Sequence, residues 1–217
     1  IKRKRILKSR YISGDKIVIH GEEDTSTEER KAFLEQFAKT SIDAAQRYRI
    51  PAEIARLQNE KGELPFSKVK YHVEMSKFFV EKDGGLQLIA FLYFPNNRAE
   101  MFTMTLTSSS DRYLFSEQLA ERVEETHCEA IIVVGETWSG SAPEKGQAPV
   151  PPRLQEDKQE EIMILAANPD RVESTHIEIL RDKSGNISFG PQATTSEGIF
   201  PMIGDIQKYW RQKRTIE

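Results

Sequence analysis

The chain has 217 residues, 38% apolar and 30% charged, with 34 acids against 31 bases. That balance excludes a disordered chain, and no apolar run approaches the roughly 18 residues that a membrane span needs. One cysteine, Cys128, excludes an internal disulfide and cysteine-rich zinc sites.

The charge is unevenly placed. Residues 1–10 carry six bases and no acid, and residues 207–217 carry four bases and one acid. The stretch between them holds 21 bases against 33 acids. Lys2, Arg3, Lys4 and Arg5 are therefore candidate nucleic-acid contacts, set against the plainer reading of solvated ends beside an acidic body. No apolar core of a secretory signal follows Ile1–Arg5, so the expectation is a soluble, bacterial-type, cytoplasmic protein.

Residues 1–24 read as a basic arm plus a short strand, Lys16–His20. Residues 25–66 read as a helical region. Ser26 and Glu29 have capping-box spacing, and Phe33, Phe37, Ala44 and Tyr48 recur at helical intervals. Pro51 opens a second helix through Ile54 and Leu57 that ends near Gly62, completing an expected N-terminal helical hairpin.

Residues 67–217 form the expected sheet domain, one compact unit with 25–66. Lys68–Val80 is undecided: Val69, Tyr71 and Val73 alternate as in a strand, whereas after Met75 the pair Phe78 and Phe79 does not keep that period. Leu86–Phe94 is almost wholly apolar and suits a central strand covered on both faces. Phe102, Met104 and Leu106 alternate with threonines and predict a hairpin partner. Ser109-Ser110-Asp111 caps a helix whose apolar stripe is Phe115, Leu119 and Val123.

Ala130–Val134 and Ile162–Ala167 read as two buried strands separated by a polar loop, residues 139–158, rich in proline and charge. Thr175–Arg181 and Ile187–Phe189 add strands, and Phe200–Arg214 closes the chain as a helix. The expected fold class is α+β, a mostly antiparallel central sheet flanked by helices. Over roughly residues 85–214 this order is similar in outline to profilin-like or roadblock-like α/β sandwiches.

The motifs exclude more than they assign. Phe33–Gln58 resembles the opening helices of lysozyme-type glucosaminidases, but no tryptophan follows Glu60 where the catalytic context requires one. His176-Ile177-Glu178 has a zinc-deaminase spacing without the later cysteine pair. Asp170 followed by Glu178 resembles the acidic core of restriction-type nucleases, yet Leu180 stands where lysine belongs. Adjacent His127 and Cys128 diverge and make no dyad.

What survives is Gly135-Glu136-Thr137-Trp138, at the end of a buried strand. Glu136 and Trp138, two residues apart, share a face. With Arg153, Asp170 and His176 they are the ligand- or partner-binding candidates; the catalytic residues stay unknown, and no metal or cofactor is expected. The sequence favours a binding or interaction module over an enzyme. The alternatives are a metal-dependent hydrolase or nuclease using acids near 135–138 and 168–178, and nucleic-acid binding through the basic ends. The expected partner is a protein or small ligand, with strand pairing across a two-fold as a route to a homodimer.

Overall fold

The computed structural model describes residues 9–13, 16–20, 48–95, 98–103, 111–140, 154–197 and 200–216, the first two segments as backbone. The first predicted helix, the arm at Lys2–Arg5 and loop residue Arg153 lie outside the described residues.

Among the described residues eight strands form one sheet: β1 (Ser9–Ser13), β2 (Lys16–His20), β3 (Ile89–Tyr93), β4 (Ala99–Thr103), β5 (Ala130–Ser139), β6 (Gln159–Ala167), β7 (Val172–Arg181) and β8 (Ile187–Thr195). Their spatial order is β2-β1-β4-β3-β5-β6-β7-β8. Every neighbouring pair is antiparallel. The helices are α1 (Ala52–Leu57), α2 (Val69–Asp83), α3 (Asp111–Thr126) and α4 (Gly204–Ile216). The α+β class is as expected.

The long apolar runs form the middle of the sheet, because only strands covered on both faces can hide them. Ala130–Val134 of β5 are all buried, and β5 pairs with β6 from Ile131↔Ala167 to Ser139↔Gln159. One face packs Ala90, Leu92, Ile131, Val133 and Leu165 against Phe115, Leu119 and Val123 of α3 and Ile206 and Trp210 of α4. The other packs Ile132, Val134, Ile162, Ile164, Ile177 and Ile179 against Val73 and Val80 of α2.

Several local expectations shift. Residues 69–83 are a helix, although Val69, Tyr71 and Val73 mimic a strand. The buried set is His72, Val73, Met75, Ser76 and Val80, which has helical spacing, and Gly84 (φ 74) ends the helix by donating its N–H to Val80 O at 2.9 Å. Strand β4 begins at Ala99, placing Glu100 and Phe102 inward. Strand β1 has no apolar alternation to announce it. The second helix is shorter than expected, stopping at Leu57. At Gly135 packing is close: a Cβ there would lie 2.8 Å from Leu88 Cδ1, so that side chain would have to shift. Among the described residues no helix is long and apolar enough to cross a membrane.

Candidate functional site: a cleft at one end of the sheet

A cleft of about 540 Å³ opens where β3 ends, β5 begins and β6 turns into β7. Tyr93, Phe94, Tyr209 and Trp210 supply aromatic wall, while His127, Asn168, Asp170 and Lys213 supply polar groups.

Its floor follows from how α3 hands over to β5. The chain leaves α3 through His127, the only described non-glycine residue with positive φ (53°). That left-handed turn usually falls to glycine, because a Cβ costs roughly 1 kcal/mol there. Here the imidazole is used: Nδ1 lies 2.6 Å from Tyr209 Oη, and the two rings are nearly parallel (18°). Next, Trp210 Nε1 donates to Cys128 O at 3.0 Å, and Glu129 N donates to Tyr93 O at 3.1 Å. The Cys128 thiol is buried and pushed up to about 12, chiefly by desolvation, so it is no nucleophile.

The opposite wall is organised by Asn168, only 9% exposed. Its Oδ1 accepts the backbone N–H groups of Asp170 and Arg171, each at 2.9 Å. Its Nδ2 donates to Glu63 Oε1 (2.8 Å) and Leu64 O (3.3 Å). One buried amide therefore closes the β6–β7 turn and ties the segment before α2 to it. Arg171 adds a guanidinium 3.9 Å over the Phe66 ring.

Tyr93 belongs to the α2 face. Its hydroxyl is 2.7 Å from His72 Nε2, and burial holds that imidazole down to about 3. Burial, followed by the charge of Tyr71, drives the Tyr93 phenol far above its ordinary value. The pair is thus a neutral hydrogen bond beneath the cleft.

The residues singled out from sequence fall in three places. Asp170 lines the cleft. Glu136 and Trp138 lie at the opposite end of the sheet, on the α2 face. Glu136 Oε1 accepts Leu86 N–H at 2.8 Å, and burial raises its pKa, opposed by that N–H and by Arg181. Arg181 itself grips Glu160 with two 2.8 Å bonds and donates to Gly84 O. Trp138 is 39% exposed, with Lys158 Nζ 5.5 Å from its ring centre. His176 is on the other face of the sheet, since its neighbour Ile177 shares a row with Ile162 and Glu136. Among the described residues no three His, Cys, Asp or Glu side chains are grouped to hold a metal ion.

The cleft draws on residues 62–64, 93–94, 127–130, 168–170 and 209–213. No contiguous motif could reveal it. The available hint was positional, since His127 and Asn168 both sit where a buried strand meets its turn.

Fold and cleft together define an antiparallel α+β protein with helices on both faces of one sheet and a pocket at one end. The chain belongs to the Bacteriophage lambda protein ea47 family, whose family model matches residues 10–216. Comparison with curated proteins and with solved structures finds no match.

Proposed function

We propose that this protein is a binding module whose ligand seats in the cleft at the His127–Asn168 end of the sheet. The observation that carries this reading is the cleft's make-up. About 540 Å³ lined by four aromatic rings and a few convergent polar groups has the size and chemistry of a small-molecule site. A second feature supports it: His127 keeps an unfavourable backbone conformation while its ring is placed on the cleft wall against Tyr209. The expected ligand has a flat apolar body for Tyr209 and Phe94 and a polar group for His127, Asp170 or Lys213.

The test is a thermal-shift screen of small carboxylates, phosphates, amines and nucleosides against the native chain and Asp170→Trp, which fills the mouth from an exposed position. The reading expects compounds that raise the melting temperature of the native chain and leave the variant unmoved. Hits that shift both proteins equally, or no hit at all, would overturn it.

A further inference from the structure

A second polar cluster stands away from the cleft, on the α3/α4 side of the sheet. Cross-strand partners share a face. The pairs Leu165↔Ser174, Met163↔His176 and Glu161↔Glu178 therefore set Ser174, His176 and Glu161 on one surface. His176 Nδ1 lies 2.9 Å from Glu161 Oε2, and its Nε2 lies 2.8 Å from Ser174 Oγ. Ser139, from β5, donates its hydroxyl to the other carboxylate oxygen, Oε1, at 2.7 Å.

A carboxylate only accepts, so Nδ1 carries a proton that points at Glu161. In the neutral imidazole Nε2 is then bare and accepts the Ser174 hydroxyl. Ser139 holds the carboxylate from behind. A hydroxyl bonded to a base that is itself oriented by a third group is the signature of an activated nucleophile.

We propose that Ser174, His176 and Glu161 form an acyl-transfer relay that cleaves small esters. This inference stands apart from the cleft reading and does not rest on it. Ser174 is only 2% exposed, which restricts the reagent. Its partner on the edge strand is Thr195 and that of His176 is Ala193, both small and exposed. Approach runs over β8, and the acyl group is about the size of acetyl.

Ser174 Oγ attacks the ester carbonyl carbon while its proton passes to Nε2. The tetrahedral adduct collapses, the alkoxide leaves with that proton, and the acyl group remains on Oγ. Water then attacks the acyl-serine, gives a proton to Nε2 and, once Oγ recovers it, releases the carboxylic acid. Ester plus water yields acid plus alcohol, with no further reagent.

The experiment treats the full chain with a small alkyl fluorophosphonate, which phosphonylates an activated serine with loss of fluoride, and locates the adduct by tandem mass spectrometry. The expected result is a single adduct on Ser174 of the native chain. His176→Gln should slow labelling on the order of 10²–10⁴-fold, the usual contribution of a general base. Because the adduct is mapped on the native protein, the result does not depend on any variant folding. No adduct, an adduct elsewhere, or native-rate labelling of His176→Gln would overturn the proposal.

Discussion

The two faces of the sheet bury polar groups in opposite ways. Under α3, Glu100 is fully buried and gripped by Arg122 through Nε–Oε1 (2.8 Å) and Nη2–Oε2 (3.0 Å), a charged pair. Under α2, His72 and Tyr93 make a neutral bond, and Ser76 satisfies itself by donating to His72 O at 2.6 Å. A charged pair fails abruptly when one partner is lost; a neutral pair fails gradually as pH falls. The cleft borrows from both faces, taking Tyr93 from the second and Tyr209 and Trp210 from the first.

Arg122→Met should produce the largest effect. It leaves the Glu100 carboxylate buried without its main partner, a change worth about 3–5 kcal/mol. Urea denaturation should show this loss, and adding Glu100→Leu should restore much of it. A loss no greater in the single variant than in the double would break the contrast.

The neutral face should respond to acid. His72 is held at about 3 when folded, against an ordinary value near 6.5. The unfolded chain therefore takes up a proton below about 6.5 that the folded chain refuses. Stability due to this group is fully present above that value and is lost as pH falls towards 3. The folding constant should drop by up to tenfold per pH unit within that window. The measurable quantity is the difference in slope between the native chain and His72→Gln, since carboxylates add their own acid sensitivity to both. Equal slopes would contradict the account.

His127→Gly should leave stability within about 1 kcal/mol, because relief of the left-handed turn offsets the lost Tyr209 contact. The same variant should lose ligand binding. Gly84→Ala, at the positive-φ end of α2, should cost about 1 kcal/mol and leave the cleft's binding unchanged. A stability loss in His127→Gly as large as that in Gly84→Ala, with binding kept, would reduce His127 to an ordinary helix end.

Much of the scaffold was legible because burial leaves a period in the sequence. Ala130–Val134 and Ile162–Ala167 could be little other than central strands, and Phe115, Leu119 and Val123 repeat as one face of a helix. Helix α2 was misleading because its buried set includes His72 and Ser76, so the apolar residues left visible at 69, 71 and 73 alternate. Strand β1 follows a basic run and shows no hydrophobic face. The cleft was not legible: its walls come from five separated segments, and its polar groups are a histidine at a helix end and an asparagine in a turn. Their meaning depends on Tyr209 and Glu63, 82 and 105 residues away. Glu136 and Trp138 drew attention because an acid and an indole at a strand end look like a mouth. In the fold Glu136 accepts the Leu86 N–H, and the cleft opens at the other end of the sheet.

The account's central claim is that ligand binds where β5 begins. The most direct measurement is an amide chemical-shift titration of the native chain with the best compound from the thermal screen. The account predicts perturbations confined to residues 62–64, 93–94, 127–130, 168–170 and 209–213. Perturbations gathered instead around Glu136 and Trp138, or scattered over the surface, would contradict it.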